Sequence, residues 1–338
     1  MNNEQIQALI DNCGLPDTCH HPALKETHIS WVVLTDHYAF KIKRPVKYSF
    51  LDFSSPEKRK FFCHEELKLN KRLEPEMYLK VIPVTHKMIG KSPEESRGKV
   101  IDHALQMKRM DNEKEMIRML QEGKVNREHI HKLAKKTAAF HRQVKSVNKP
   151  FDTGKFQEMY ADIQTLIPYL KEKEKGTEWV RKINHCVKRS EDYLQSEKAF
   201  LKQRVDHGFQ RDCHGDLNAT NIFLYDDPVI FDCIEFNKDF RYIDVLNEIA
   251  FLGVDLDFFD KTDLCEWLYQ DYCSFSDQAD NAKNRRLFSY YKSYRANIRA
   301  KVNLIQSRKT DLEDKENALS DAFQYIGLME KYLNQAMV

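Results

Sequence analysis

The chain has 338 residues, and its 54 lysines and arginines against 52 aspartates and glutamates leave a formal net charge of +2. This balance excludes the strong positive field of a typical nucleic-acid-binding protein, so we expect no nucleic-acid partner. A hydrophobic fraction of 41% argues against disorder, and no apolar run approaches the roughly 20 residues that span a bilayer. We therefore expect a cytoplasmic protein of two lobes, without a membrane partner.

Strand patterns dominate the first third of the sequence. Short β-branched and aromatic runs predict the strands of an antiparallel sheet at 29–34, 38–42, 78–84 and 100–107. One helix lies among them, and its start is marked either by a capping box from Ser54 to Glu57 or by Ser55 as N-cap with Pro56 at the first helical position. These patterns predict an α+β lobe over residues 1–110.

Helical periodicity dominates from about residue 126 onward. Residues of the first segment recur on one face, at Ile130, Leu133, Ala134, Thr137, His141 and Val144. Similar patterns cover 156–171, 178–203 and 280–306. A polar stretch near residues 110–112 separates this region from the sheet. The sequence thus predicts a bilobal α+β fold whose second lobe, residues 111–338, is mainly helical.

The eight cysteines are spread along the chain without a C-x-x-C pair. In a long chain without a recognisable secretion signal this pattern predicts reduced thiols. One group, formed by Cys13, Cys19, His20 and His21, resembles a metal site. It lacks a second ligand pair at zinc-finger spacing, so we expect no structural metal there.

One loop interrupts the helical half and carries polar residues at a functional spacing. His214, Asp216 and Asn221 follow the pattern His-x-Asp-Leu-x-x-x-Asn of a kinase catalytic loop, and a strand, a tight turn and a second strand lead to Asp232. Asp216 would accept the proton of an attacking hydroxyl or orient that hydroxyl. Asn221 and Asp232 would offer oxygen ligands to Mg²⁺. An ordinary turn or a hydrolase metal site is the alternative.

A strand lysine paired with a helix glutamate would complete such a site. The run at 38–41 alternates like Val-Ala-Ile-Lys, which predicts that Ala39 covers the adenine and that Lys41 holds the α- and β-phosphates. Glu66 falls in the apolar stripe of the following helix, where an unpaired carboxylate would be costly, so Lys41 is its expected partner. In the alternative, Glu66 lies at the edge of the helix. Lys43 and Arg44 are expected to be solvated.

Together these residues resemble the aminoglycoside phosphotransferase and choline kinase group of small-molecule kinases, which shares its fold with protein kinases. That group has His-Gly-Asp in its catalytic loop, as residues 214–216 do here, and the resemblance covers nearly the whole chain. It includes the helix end at 133–141 and the segment 241–245, where the resemblance implies that Asp244 supports the catalytic loop. Further runs are similar to an uncharacterised bacterial subgroup of aminoglycoside phosphotransferase-like proteins, at 26–30, 43–46, 50–53 and 294–302.

The resemblance implies a protein-kinase-like fold with ATP bound between the lobes and Mg²⁺ as a cofactor. The expected reaction is transfer of the γ-phosphoryl group of ATP to a hydroxyl of a small molecule. Asp-Cys-Ile-Glu at 232–235 replaces Asp-Phe-Gly, and no Ala-Pro-Glu segment is recognisable, which favours a small acceptor over a protein. Some members of the subgroup continue into a P-loop ATPase domain, but no G-x-x-x-x-G-K-[ST] occurs in these 338 residues.

The nucleotide contacts must differ in part from those of protein kinases. No G-x-G-x-x-G precedes Lys41, so we assign the phosphate clamp to the turn at 27–30, through backbone N–H groups and the Ser30 hydroxyl. Adenine is expected to contact backbone groups near Lys108 to Met110.

The sequence leaves the acceptor and the oligomeric state open. An acidic run at Asp255, Asp257, Asp260 and Asp263 would attract a cationic amine, although a solvated face is the favoured interpretation. A later helix carries Tyr291, Tyr294, Arg295 and Arg299, which would suit an anionic or sugar-like acceptor. Two further functions are alternatives: a kinase that phosphorylates a protein or itself, and a regulatory module that binds nucleotide without catalysis.

Overall fold

The computed structural model describes residues 1–90, 98–308 and 312–338. The chain forms two compact units. The first comprises Met1–Glu115 together with Asn221–Phe240, and the second comprises Met116–Thr220 together with Arg241–Val338. The residues that follow the catalytic-loop motif therefore pack with the N-terminal segment rather than with the helices around them in sequence.

The N-terminal segment is built on a five-stranded antiparallel sheet. Two helices accompany the strands, α1 (Asn3–Asp11) and α2 (Pro56–Asn70). The strands are β1 (Ala23–Glu26), β2 (Ser30–Leu34), β3 (Tyr38–Lys43), β4 (Lys47–Tyr48), β5 (Leu51–Asp52), β6 (Tyr78–Thr85) and β7 (Val100–Lys108). The sheet has the order β1-β2-β3-β7-β6, and β4 and β5 form a separate hairpin. Ser55 is the N-cap of α2, with Pro56 at its first position, so the second of the two predicted helix starts is confirmed.

The remainder of the chain is mainly helical. Its elements continue with α3 (Met116–Gln121), α4 (Arg127–Gln143), α5 (Thr153–Ala161), α6 (Ile167–Lys171), α7 (Gly176–Ser196), α8 (Lys198–Asp206), β8 (Gln210–Asp212), β9 (Ile222–Phe223), β10 (Val229–Ile230), β11 (Tyr242–Asp244), α9 (Val245–Phe258), α10 (Thr262–Phe275), α11 (Ala282–Gln306) and α12 (Leu312–Ala336). The strands pair antiparallel, β8 with β11 and β9 with β10. The predicted α+β architecture, an N-terminal antiparallel sheet followed by a mainly helical part, is confirmed.

The period of β3 decides what each face of the sheet carries. Phe40 and Ile42 point into a core that includes Ile6 and Leu9 of α1. Ala39 points to the opposite face, together with the lysines that follow it at intervals of two. One face of the same strand is therefore a hydrophobic core, while the other carries the charged groups of the candidate site.

In the second unit, α9 lies at the centre. All residues from Val245 to Asp257 are buried, including four with charged or amide side chains, and α10, α11 and α12 pack against this helix. A helix buried on every side is normally apolar. Polar residues at such positions need partners, and those partners build part of the candidate site. Among the described helices, none combines the length and the low polarity needed to cross a membrane.

The prediction of reduced thiols is wrong for one pair. Cys13 and Cys19 form a disulfide with Cα atoms 5.8 Å apart, a separation that disulfides commonly span. The connection between α1 and β1, residues 12–22, brings the two residues together, which their spacing of six does not reveal. The other six cysteines are free, as predicted, and they are buried.

Candidate active site

Lys41 and Glu66 form the predicted ion pair of the first unit. Lys41 lies in β3, and its Nζ is 2.8 Å from Oε1 of Glu66 in α2. Both side chains are buried, so an unpaired charge on either would be costly. Lys41 also contacts Asp232, whose Oδ1 lies 2.5 Å from Nζ. Three residues that are far apart in the sequence are thus brought together.

The expectation that Lys43 is solvated is wrong. Only 1% of its side chain is exposed, and its Nζ lies 2.6 Å from Oε2 of Glu66 and also contacts Oε1 of Glu235. The reason is the period of two, which places Lys41 and Lys43 on the same buried face of β3. Two carboxylates offset the cost of burying the second ammonium group. Arg44, the next residue, is partly exposed and pairs with Glu26.

Burial and charge act in opposite directions on this cluster. Burial alone would lower the pKa of Lys41 and of Lys43, but the neighbouring carboxylates outweigh it and raise both. Burial would raise the pKa of Glu66, but the two lysines hold it at about 2. Burial raises the pKa of Glu235, because the lysines offset the loss of hydration only in part. Both lysines and Glu66 are therefore charged at neutral pH.

The segment that carries Asp232 is fixed by polar side chains from residues 70–78. Three of them accept backbone N–H groups of this segment: Glu74 from Ile230 at 2.9 Å, the Tyr78 hydroxyl from Asp232 at 3.0 Å and Asn70 from Cys233 at 2.9 Å. Asp232 itself has a φ of +64°, in the left-handed region. A non-glycine residue adopts this conformation at an energetic cost that is common at functional sites. The sequence analysis missed these three side chains, since nothing in the local pattern shows that they contact a segment more than 150 residues away.

Asn221 begins the hairpin that ends just before Asp232. Its carbonyl oxygen accepts the N–H of Phe231 at 3.0 Å, beyond the paired strands β9 and β10. The two residues predicted to bind Mg²⁺ therefore lie at the same end of one hairpin. A carboxylate and an amide oxygen are ligands of the kind that Mg²⁺ prefers. The side chain of Asp232 is 39% exposed, so its carboxylate can reach a ligand from solvent.

An apolar cluster lies beside these charged groups on the same face of the sheet. Its buried members are Leu34, Ala39, Met77, Tyr78, Leu105 and Met107, and Val32, Met110, Val229 and Phe231 pack against it while partly exposed. The backbone after β7 is tied down, because the N–H of Lys108 donates to Met77 and that of Arg109 to His37, both at 2.9 Å. An apolar surface of this kind suits a flat aromatic ring.

The turn predicted to clamp phosphates is closed by its own hydrogen bonds. Oγ1 of Thr27 accepts the N–H of Ile29 at 3.3 Å and that of Ser30 at 2.9 Å. The Ser30 hydroxyl is buried. Two N–H groups and the hydroxyl that a clamp would use are therefore turned inward, and the role of Ser30 stays a prediction.

In the second unit, Glu248 holds the start of the loop predicted to be catalytic. This α9 residue accepts the N–H of His214 at 2.7 Å and that of Gly215 at 2.6 Å, one with each carboxylate oxygen. Burial would raise the pKa of Glu248, but hydrogen bonds from His141 and the loop hold it at about 2. Gly215 has a φ of +91°, which an L-residue adopts only with strain. A glycine is therefore required at the centre of His-Gly-Asp.

His214 supports Asp216 through the backbone. Its Nδ1 accepts the N–H of Asp216 at 3.3 Å, and the imidazole is buried. Asp216 is only partly buried. The imidazole of His214 therefore positions the backbone of Asp216, and the side chain of Asp216 is not fully enclosed.

A second carboxylate of α9 holds the end of the loop. Oδ2 of Asp255 accepts the N–H of Ala219 at 2.8 Å, and Nη2 of Arg299 lies 2.9 Å from both oxygens of Asp255. Asp255 follows Glu248 by seven residues, which is about two helical turns, so both face the same side of α9. The sequence analysis missed the role of both residues. The available signal was acidic residues within the otherwise apolar stretch 245–258.

The role implied for Asp244 differs in detail. Asp244 caps α9 by accepting the N–H of Leu246 at 2.8 Å, and it pairs with Arg204. It lies in β11, beside the strand that precedes the loop. Direct support of the loop comes instead from Glu248, one turn further along the helix.

The structure does not support either sequence feature that was considered for the charge of the acceptor, the acidic run at 255–263 or the tyrosines and arginines of α11. The favoured interpretation of the acidic run as a solvated face is wrong for Asp255 and Asp257, which are buried, while Asp260 and Asp263 are exposed. Asp257 lies 3.0 Å from Nζ of Lys292 and accepts the Tyr332 hydroxyl at 2.6 Å. On α11, the residues Tyr291, Tyr294 and Arg295 are also buried, and Arg295 donates to Asn247. The two buried acids are paired with bases inside the unit, Asp255 with Arg299 and Asp257 with Lys292, so they do not indicate what the acceptor is.

A buried group of potential metal ligands is also explained by internal bonds. Among the described residues, His141, Cys213 and Glu248 lie close enough to hold an ion. Both ring nitrogens of His141 are engaged, Nδ1 with the Tyr272 hydroxyl at 2.7 Å and Nε2 with Glu248 at 3.1 Å. This group therefore supports the His-Gly-Asp loop through hydrogen bonds.

Comparison with known proteins confirms the predicted resemblance at the level of the fold. The structure is similar to a choline kinase from Cryptosporidium parvum (TM-score 0.58, 12% identity, covering 99% of this chain and 98% of that one). It is also similar to a choline/ethanolamine kinase family protein from Mesorhizobium loti (0.54, 10%, 97% and 99%) and to the GDP complex of aminoglycoside 2'-phosphotransferase-IIIa (0.53, 13%, 96% and 99%). The chain has the fold of these small-molecule kinases.

Relatives in sequence are uncharacterised. Proteins from two strains of Mycobacterium tuberculosis and from Mycobacterium bovis are 28% identical over 320 residues, which cover 93% of this chain and 60% of each relative. The chain thus spans about three fifths of the length of these relatives. No family model matches it.

Proposed function

We propose that this chain is a small-molecule kinase that transfers the γ-phosphoryl group of ATP to a hydroxyl in a Mg²⁺-dependent reaction. One observation carries the proposal: Lys41 on a strand pairs with Glu66 on a helix and with Asp232 after the hairpin. Phosphoryl transfer in this fold needs these three charges for the phosphates and the metal. The fold of the choline kinases and aminoglycoside phosphotransferases supports the same reaction class.

Each side chain has a definite task in the proposed reaction. Lys41 gives up its contact with Asp232 and holds the α- and β-phosphates, while Glu66 keeps the ammonium group in place. Asp232 and Asn221 hold Mg²⁺, which when bound neutralises charge on the phosphates. Asp216 orients the acceptor hydroxyl and takes its proton. His214 keeps the Asp216 backbone in position.

The apolar cluster around Ala39 is the proposed site of the purine base. A flat ring would pack against Ala39, Val32 and Phe231, and its polar edge would meet the backbone from Lys108 to Met110. We accordingly assign nucleotide binding to the lobe predicted at 1–110, complemented by the hairpin segment of residues 221–240, and acceptor binding to the helical lobe. Because one structural neighbour carries GDP, both ATP and GTP belong in any binding test.

A transfer assay separates this function from the two alternatives. The purified protein is incubated with MgCl₂ and ATP labelled in the γ-phosphate, with choline, ethanolamine, aminoglycosides and simple sugars as separate acceptors. We expect label on a small molecule in at least one reaction and at least about a hundredfold less of it with the Asp216→Asn variant. Label on the protein itself would favour a protein or self-phosphorylating kinase. If the protein binds nucleotide but transfers label to no acceptor of a broad panel, the result would favour a non-catalytic module.

A further inference from the structure

Two parallel ion pairs connect β3 with the segment after the hairpin. Lys41 contacts Asp232, and Lys43, two residues further along the strand, contacts Glu235, three residues further along the segment. Glu66 lies between the lysines and gives one carboxylate oxygen to each, at 2.8 and 2.6 Å. The five side chains form one continuous network of alternating charge.

The two pairs differ in exposure. Asp232 is 39% exposed, whereas Glu235 and Lys43 are buried. In the proposed function, Lys41 and Asp232 separate when each takes up its own ligand. Lys43 and Glu235 have no such ligand to reach, because both ends of their contact are closed off from solvent. Their pair can therefore persist while the first pair opens.

We propose that Lys43 and Glu235 form a permanent tie that positions Glu66 for Lys41 and Asp232 for the metal. This inference rests on the proposed function. Lys43 fixes the carboxylate of Glu66 through Oε2, which leaves Oε1 directed at Lys41. Glu235 anchors the far end of the segment 232–235, while the Tyr78 hydroxyl anchors the N–H of Asp232. Lys43 is thus a positioning residue, distinct from the lysine that contacts phosphate.

The ring of Phe53 adds a reason for a lysine at this position. Nζ of Lys43 lies 4.7 Å from the centroid of that ring, which is itself fully buried. An ammonium group fits between an aromatic face and two carboxylates, and the attraction to the ring strengthens when water is excluded. These contacts hold the ammonium group of Lys43 in one position.

The test measures how much Mg²⁺ is needed for ATP to bind. In a titration of MgCl₂ at fixed ATP, we expect Glu235→Gln and Lys43→Met each to raise the half-maximal Mg²⁺ concentration about tenfold or more, since Asp232 is no longer held in place. Lys43→Arg keeps the positive charge, so its half-maximal Mg²⁺ concentration should stay within about threefold of the wild-type value. Lys58→Met, which removes an exposed pair with Asp52, is the matched control and should change nothing.

A double variant separates positioning from mere stability. Lys43→Met leaves a buried carboxylate without its cation, so this variant can fail to fold. Lys43→Met with Glu235→Gln removes both charges, and we expect its melting temperature to recover much of the loss. If positioning is the role, its Mg²⁺ requirement stays raised. Recovery of both properties together would overturn the proposal and leave a structural role.

The outcomes also distinguish this inference from the proposed function. If the wild-type protein binds ATP with Mg²⁺ and the folded variants need no more Mg²⁺ than it does, the tie alone is overturned. Wild-type protein that binds no nucleotide with Mg²⁺ overturns the proposed function, and the tie with it. If the half-maximal Mg²⁺ concentration rises tenfold in Glu235→Gln but not in Lys43→Arg, both the proposed function and the tie are supported.

Discussion

At the scale of single residues, the site depends on charges buried with their partners. Lys43, Glu248 and Asp255 are each enclosed in the protein, and each contacts groups of opposite charge or backbone N–H donors. Burying such a charge alone would cost several kcal/mol. The sequence could not reveal these contacts, because the partners are remote; Lys43 and Glu235, for example, lie 192 residues apart. What the sequence did predict was the Lys41 and Glu66 pair, through strand and helix periodicity.

Asp216 is the residue whose loss should affect the chemical step most. We expect Asp216→Asn to lower turnover by about 10²- to 10⁴-fold, because the acceptor hydroxyl loses its proton acceptor. Nucleotide affinity should change little, since the phosphates are held by other residues. Steady-state kinetics and direct ATP titration measure the two effects, with the exposed Asp206→Asn as a control. A variant with wild-type turnover would contradict the assignment.

At the scale of secondary-structure elements, four of the five strands of the sheet were predicted to within one residue at each end. The β-branched and aromatic runs at 38–42 and 100–107 correspond to β3 and β7, whose residues contribute to two apolar clusters. Shorter elements were missed. The strand β1 and the hairpin of β4 and β5 have two to four residues each, too few for a periodic pattern. The first helix, α1, was also missed, although its Asn2 and Gln5 form a capping box.

The α9 helix should make the protein sensitive to acid through Glu248. Its pKa of about 2 in the folded protein lies below the ordinary value of 4.5, so the ionised group stabilises the fold above pH 4.5 and this contribution is lost as the pH falls toward 2. We expect Glu248→Gln to be less stable at pH 7 and to lose stability less steeply between pH 5 and 3. Thermal unfolding across this range measures the slope. An unchanged slope, equal to that of the exposed Glu316→Gln control, would contradict this role.

Substituting alanine for each of two helical glycines of the second unit should change the stability of the protein in opposite directions. A Cβ at Gly253 of α9 would lie 3.2 Å from Cys265 Sγ and from Phe288 Cζ, whereas at Gly327 of α12 nothing lies within 4 Å. We expect Gly327→Ala to stabilise the protein by about 0.5–1 kcal/mol through helix propensity. Gly253→Ala should destabilise it by about 1 kcal/mol or more, because the tight packing must open. Denaturant unfolding compares them, and a stabilised Gly253→Ala would contradict the packing described for α9.

At the scale of the whole molecule, the chain passes between its two units within the predicted functional motif. Asp216 belongs to the second unit, whereas Asn221 and Asp232 belong to the first. This division of the motif was not predicted, because a boundary near residue 110 assigns all later residues to one lobe. The hairpin joins the first unit through contacts of Asn70, Glu74 and Tyr78 that no local pattern reveals.

The structure accounts for the proposed phosphoryl transfer but not for the choice of acceptor. The residues proposed for phosphates, metal and proton transfer are all present, while Asp255 and Asp257, two of the acids considered for acceptor recognition, are paired with Arg299 and Lys292. Acceptor identity therefore depends on other side chains of the helical unit, which only a broad substrate panel can reveal.

The most direct test of the account is whether ATP and Mg²⁺ stabilise the protein only together. Thermal unfolding is recorded with ATP, with MgCl₂ and with both, for the wild-type protein, for Asp232→Ala and for the exposed control Asp239→Ala. Ligand at 100 times its dissociation constant should stabilise the wild-type and control proteins by about 2.7 kcal/mol, and Asp232→Ala should show no stabilisation that depends on Mg²⁺. An equal shift with and without the metal, or no shift with either ATP or GTP, would contradict the proposed nucleotide site.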